Sequence, residues 1–113
     1  MKTIKGDLIL KKDTTFNEDL KVEGDIKGDF SLIVKGDLKC RILYCWNLNC
    51  RNLYCWNLDC WNLNCSNLDF YAIAIAYNSF KCKSWKARRK NHIIKCLDGD
   101  IEITKDKLKG EDK

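Results

Sequence analysis

Between residues 40 and 69 the chain repeats a five-residue unit: CRILY, CWNLN, CRNLY, CWNLD, CWNLN, CSNLD. Cysteine stands at 40, 45, 50, 55, 60 and 65, leucine at 43, 48, 53, 58, 63 and 68, and polar or aromatic residues fill most of the other places. A helix turns about 100° per residue, so leucines five apart would advance by roughly 140° and spiral around it without forming a stripe. A flat strand fails as well, because side chains alternate with period two and residues five apart would face opposite sides. The pattern is consistent if the backbone turns a corner once per unit, with Cys and Leu inward and the other three positions outward. It predicts an all-β fold, a single β-solenoid.

Residues 1–39 alternate apolar and polar around Gly-Asp corners: KGDL at 5–8, EGDI at 23–26, KGDF at 27–30 and KGDL at 35–38. The shift that carries Ile4 onto Val22 and Cys40 also aligns Leu8 with Ile26, Phe16 with Val34, and Leu20 with Leu38. That predicts coils of about 18 residues, in which Gly supplies the tight corner and Asp bonds neighbouring backbone. Beyond Cys65 the cysteine lane continues as Phe70, Ile75, Phe80 and Trp85, with Ile73 still in the leucine lane and Asn78 outside it. The larger side chains predict a widening or capping of the coil. KCKSWKARRKNH (81–92) reads as a protruding loop or one short helix, and the solenoid pattern resumes in IIKCLDGDIEITK. The chain is thus one domain over 1–104: Gly-Asp-cornered coils at 1–39, pentapeptide repeats at 40–69 and a closing coil at 70–104 carrying a basic segment, 81–95. Residues 105–113 form a charged tail expected to fray.

The repeated C-x-N-L units resemble the pentapeptide-repeat family, and the N-terminal coils are similar to the bactofilin type of β-helix. The whole arrangement, including KCKSWKARRK, is similar to small proteins of Gram-positive bacteria and their phages that carry no established activity. The family resemblance implies a right-handed, quadrilateral β-helix with four pentads per turn. Residues 20 apart would then stack about 4.8 Å apart, with Cys40 under Cys60, Cys45 under Cys65, Leu43 under Leu63 and Leu48 under Leu68. Outside, Trp61 would fall beside Arg41 and Asn47 beside Asn67, and Trp46, Trp56 and Trp61 would occupy three successive sides. The family usually places a small inward residue two before the leucine, whereas Trp46, Arg51, Trp56, Trp61 and Ser66 stand there. Reading Cys as the central inward residue and the preceding Leu as its companion removes that conflict.

Eight cysteines in 113 residues invite a disulfide reading. Six of them keep the period of core positions, and free Cys packs as a small buried hydrophobe. We read the ladder as reduced core, with a disulfide framework as the alternative. The N-terminal MKTIKGD lacks an apolar signal region, and no stretch approaches the roughly 20 apolar residues of a membrane span, so a cytoplasmic protein without a membrane partner is expected.

The net charge of +5 is local. Residues 70–97 hold no acid and seven bases, Lys81, Lys83, Lys86, Arg88, Arg89, Lys90 and Lys95, while the remainder is slightly acidic. With Trp85 these form the first expected partner-binding set; the outward Trp46, Trp56 and Trp61 form the second, since exposed aromatics are favoured at hot spots. A solvated loop is the plain alternative for the basic run. A protein partner with an acidic surface suits it, and so does nucleic acid, with Trp85 stacking a base among cations. A metal site from Cys82, His92 and Cys96 lacks a fourth ligand, and His92 reads as a surface residue of the basic loop. No cofactor and no catalytic set are indicated. The expected function is non-enzymatic binding of a macromolecule, in the phage-like reading an inhibitor of a bacterial host protein or defence enzyme. DNA mimicry, known among pentapeptide-repeat proteins, requires an acidic surface and does not suit a basic chain. The rival is a bactofilin-like self-assembling scaffold, and a homo-oligomer is one of the expected partners.

Overall fold

Each turn of the chain has three sides, and the side lengths set the whole architecture. The computed structural model describes residues 1–104; the expected fraying of 105–113 lies outside the described residues. Short strands β1 (Lys2–Ile4), β2 (Leu8–Ile9), β3 (Thr14–Phe16), β4 (Leu20–Val22), β5 (Ile26–Lys27), β6 (Leu32–Val34) and β7 (Leu38–Lys39) begin at a constant six-residue spacing. Longer bent strands follow: β8 (Ile42–Asn49), β9 (Asn52–Asn64) and β10 (Asn67–Cys82). The top turn is closed by β11 (Ser84–Ala87), β12 (Ile93–Cys96) and β13 (Ile101–Ile103). Among the described residues there is no helix, and the paired strands are parallel. The protein is a β-solenoid of about six turns.

The alignment expected for the first coils is realised in register: Ile4 pairs with Val22, Leu8 with Ile26, Phe16 with Val34 and Leu20 with Leu38. The pentapeptide centre departs from the quadrilateral expectation. Leu38 pairs with Leu53, Leu43 with Leu58 and Cys45 with Cys60, so a turn takes three pentads. The reason is continuity. The turns below already have three six-residue sides, and the central turns keep the three corners while shortening each from a Lys-Gly-Asp type to a two-residue Trp-Asn or Arg-Asn type. Cys40 therefore does not lie under Cys60, nor Leu43 under Leu63. Above the centre the turn lengthens again, step by step, as Leu58 pairs with Ala74, Leu63 with Phe80, Ile73 with Ile93 and Phe80 with Ile101.

Side chains of the corners hold the turns together. On the first edge the Asp25 N–H donates to Asp7 Oδ1 at 2.8 Å, the Ile42 N–H to Asp25 at 3.2 Å and the Ile73 N–H to Asn57 at 3.2 Å. On the second, the Ser31 N–H donates to Asp13, Asn47 Nδ2 to Ser31 Oγ, Asn62 Nδ2 to Asn47 Oδ1 at 2.6 Å and Asn78 Nδ2 to Asn62 Oδ1 at 3.0 Å. On the third, the Asp37 N–H donates to Asp19, Asn52 Nδ2 to Asp37, Asn67 Nδ2 to Asn52 at 2.7 Å and Ser84 Oγ to Asn67 at 2.6 Å. The amide ladder thus couples Asn47 to Asn62, not to Asn67.

Inside, all six repeat leucines and all six repeat cysteines are buried. Burial pushes the Cys45, Cys50 and Cys55 thiols up to about 12, and raises Cys40, Cys60 and Cys65 further for the same reason. The cysteines are free thiols. The expected continuation of the cysteine lane holds at Phe70 and fails at Ile75. A register shift after Phe70 turns Ala74 and Ala76 inward opposite Leu58 and Cys60, while Ile75 lies half-buried outside and Ile73 sits exposed at a corner. A second shift puts Phe80 into the leucine lane against Leu63. In this turn the small Ala74 and Ala76 stand between the large Phe70 and Phe80, all four fully buried.

Candidate functional site

The segment expected as a loop or short helix over 81–92 is strand in its first half and a loop only at 88–92. Lys81 and Cys82 end β10, Ser84–Ala87 is β11, and residues 88–92 bend over the top of the core before β12. Trp85 takes the register of Leu68, and its indole packs 6.1 Å from the buried Phe70 and 5.8 Å from the His92 ring, which itself lies 6.0 Å from Phe70. His92 Nδ1 is 3.0 and 3.1 Å from the Arg89 and Lys90 carbonyls, a position for a donated N–H. Trp85 and His92, exposed on their outer sides, are therefore a lid on the core. This adds a packing role to His92, which the sequence presents as a plain surface residue, and leaves the indole less free to stack on a base. Among the described residues no group of three or more His, Cys, Asp or Glu could hold a metal, and Cys82, His92 and Cys96 are not brought together.

Stacking also brings acids to several of the bases. Arg88 donates from Nη2 to the Cys55 carbonyl at 2.6 Å and holds Nε 3.4 Å from Asp69 Oδ1. Lys86 is in register with Asp69, and Lys81 with Glu102. Sequence separation hid these neighbours, since positions a full turn apart along the chain become adjacent in the wall. What remains is a tighter cationic group of exposed Arg89 and Lys90 on the bend and Lys95 leaving it on β12; Lys86, entering it on β11, is also exposed although in register with Asp69. Arg89, Lys90 and His92 line a cavity of about 460 Å³ floored by Ala72, Ile73 and Ile93. Lys83, in the same segment, lies at the third edge, where its N–H donates to the Ser66 carbonyl.

The three tryptophans fall on two sides. Trp46 stacks under Trp61 at 6.0 Å between centroids, and Trp61 meets Tyr77 at 5.8 Å. Trp56 lies in a separate column, with the Arg41 guanidinium 5.2 Å from its centroid and Tyr71 at 5.9 Å. The expected Trp61–Arg41 contact is thus made by Trp56, which lies one turn above Arg41 and donates its N–H to the Arg41 carbonyl. Trp46, Trp56 and Trp61 are 47, 51 and 47% exposed. The Trp56 column runs upward into the basic bend, because the Arg89 N–H donates to the Tyr71 carbonyl at 3.0 Å. The Trp46 column instead borders the second edge.

The fold and these surfaces define a three-sided β-solenoid with a basic, aromatic-lidded end and two exposed aromatic columns. Comparison of the chain with profiles of known protein families, with curated proteins and with solved structures finds no match.

Proposed function

We propose that the chain is a non-enzymatic, cytoplasmic binding protein whose basic end engages an acidic protein surface, a mode that suits an inhibitor of a host protein or defence enzyme in the phage-like reading. The supporting observation is the bend at 88–92, where Arg89 and Lys90 stand exposed with no ion pair among the described residues and an aromatic column, Trp56 and Tyr71, leads into them. Exposed aromatics beside arginine are the composition of binding hot spots. The pentad repeat keeps the resemblance to pentapeptide-repeat proteins, although this chain uses three pentads per turn where that family uses four. Nucleic acid is the second reading, and packing of Trp85 against Phe70 and His92 weakens the stacking argument that favoured it. A bactofilin-like scaffold of stacked chains is disfavoured by unequal ends, because the closing turn is longer than the first and is lidded by Trp85 and His92.

The test uses the whole protein as bait, followed by affinity measurement with the purified partner. Replacing the exposed Lys86, Arg89, Lys90 and Lys95 by Ser should leave the fold intact, whereas Arg88 is spared because it holds the Cys55 carbonyl. The variant is expected to bind at least about tenfold more weakly, and the wild-type interaction to weaken with salt, as exposed charges are screened over about 8 Å at physiological ionic strength. Equal binding by the variant would remove the basic end from the account. A linear log–log salt dependence with DNA or RNA would instead favour the nucleic-acid reading.

A further inference from the structure

The first corner of the turn grows as the solenoid closes. One residue, Trp56, separates Cys55 from Asn57; two, Tyr71 and Ala72, separate their partners Phe70 and Ile73; and five, 88–92, separate Ala87 from Ile93 above. The longest corner overhangs the one beneath it. It leaves a cavity of about 460 Å³ with Ala72, Ile73 and Ile93 as the floor and Arg89, Lys90 and His92 at the rim. The apolar floor runs on down the edge, where the exposed Ile93, Ile73 and Ile42 are linked in register through Asn57. Beside them Tyr71 lies 5.9 Å from Trp56, and the Arg41 guanidinium stands 5.2 Å from the Trp56 ring. Cations thus mark both ends of an apolar strip. Among the described residues no carboxylate lines the cavity; Asp69, in the turn below, is engaged by Arg88, and Asp25, at the foot of the strip, by the Ile42 N–H.

We infer that this overhang is a socket for one large apolar side chain, flanked by carboxylates, on an extended segment of the partner protein. It rests on the basic end docking an acidic protein, and specifies what that protein presents. A purely acidic surface would leave Ile73 and Ile93 facing water. A purely apolar one would desolvate Arg89 and Lys90 with nothing to pair them, which is costly. A segment that carries both chemistries satisfies both. The cavity volume lies in the range of sites that enclose a compact apolar group, and a lone carboxylate would not fill it. From Arg41 to Arg89 the strip climbs through Trp56 and Tyr71, roughly 14 Å at about 4.8 Å per turn, the length of about four extended residues. A small anion would use the rim and leave the strip empty. A nucleic-acid strand would need cations along its whole length, whereas here they stand only at the two ends.

The probe is a capped peptide with one phenylalanine set between runs of glutamate, titrated into the full-length protein and followed by the NMR shifts of the Ala72, Ile73 and Ile93 methyl groups. Saturable shifts at all three are expected, a readout in the wild-type protein that depends on no variant folding. Changing the phenylalanine to serine, or the glutamates to glutamines, should weaken binding by about tenfold or more. Ala72→Leu, which fills the floor and leaves every charge in place, should weaken the phenylalanine peptide by a similar factor and leave the serine peptide unaffected. Equal binding of the phenylalanine and serine peptides would overturn the socket while keeping the basic end as an acid-binding surface. Absence of saturable shifts at the three methyl groups with the phenylalanine peptide at millimolar concentration would overturn it as well. Failure of the basic-end reading shows differently, as a partner protein that binds the Lys86, Arg89, Lys90 and Lys95 variant as well as the wild type. A single-stranded oligothymidylate that shifts the same methyl groups at lower concentration than the peptide would assign the cavity to nucleic acid and overturn the socket.

Discussion

At most corners the chain places a carboxylate, an amide or a hydroxyl, Ile42 and Ile73 on the first edge being exceptions that offer only their N–H groups, and the choice follows the corner's length. The three-residue corners of the first turns present a backbone N–H to the side chain one turn below, and a carboxylate such as Asp7, Asp13 or Asp19 accepts it. In the two-residue corners side chain meets side chain. Stacked carboxylates would repel there, whereas an amide both donates and accepts, so Asn47, Asn52, Asn62 and Asn67 form ladders. Asp59 stands on a side of the turn and not at a corner. It lies half-buried above Tyr44, its Oδ1 has no hydrogen-bond partner, and burial raises its pKa while the Tyr77 hydroxyl opposes the shift. The folded protein therefore holds this proton more tightly than the unfolded chain, and stability falls as pH rises from the ordinary carboxylate pKa through the raised value. Asp59→Asn should remove that loss. Urea denaturation is expected to show the variant more stable near neutral pH by about 1 kcal/mol at most, since solvent screens the exposed part of the carboxylate. At about pH 3, below the ordinary carboxylate pKa, the two should be level. A variant less stable at neutral pH would mean that the charge is compensated.

At the scale of elements, the corners were partly legible in the sequence. The first coils could be read because Gly-Asp pairs and inward apolar residues repeat together. Inward Cys and Leu could be read because their offset never varies across six units. The number of sides per central turn could not, since a pentad says that the chain bends every five residues but not through what angle. A signal existed: aspartates at 7, 13, 19, 25 and 37 fall on a six-residue lattice, which divides the first coils into three sides. Asp13 and Asp19 lack a preceding glycine, which hid it. The glycines themselves answer to the turn below. A methyl on Gly24 would collide with Asp7 Oδ1 and sit 2.7 Å from the Gly6 carbonyl oxygen, whereas Gly6 has open space and a φ of +87°. Gly24→Ala should cost about 1–3 kcal/mol as overpacking and Gly6→Ala about 1 kcal/mol or more as backbone strain. Thermal or chemical unfolding distinguishes their causes in an Asp7→Ala background: the Gly24 penalty should shrink there and the Gly6 penalty should not. Equal behaviour of the two would contradict the close-approach account of Gly24.

For the whole molecule, the narrowing of the turn at the pentapeptide centre and its widening above decide which surfaces exist. The extra residues at 88–92 are what let Trp85 and His92 close over Phe70, and the same bend presents Arg89 and Lys90 to solvent. The charge excess of 70–97 was visible in the sequence, but its division into bases with an acid in the neighbouring turn (Arg88 and Lys86 at Asp69, Lys81 at Glu102) and bases without one on the bend was not, because stacking is non-local. The tryptophans likewise sort into two columns only under the three-sided register, and the binding surface proposed at the basic end depends on that sorting. The most direct measurement is a set of side-chain nuclear Overhauser contacts in the full-length protein. The three-sided register predicts contacts between the Trp46 and Trp61 indoles, between Trp61 and Tyr77, and between Arg41 and Trp56. A four-sided coil would instead place Trp61 against Arg41 and leave Trp46 away from Trp61, and that pattern would contradict the account.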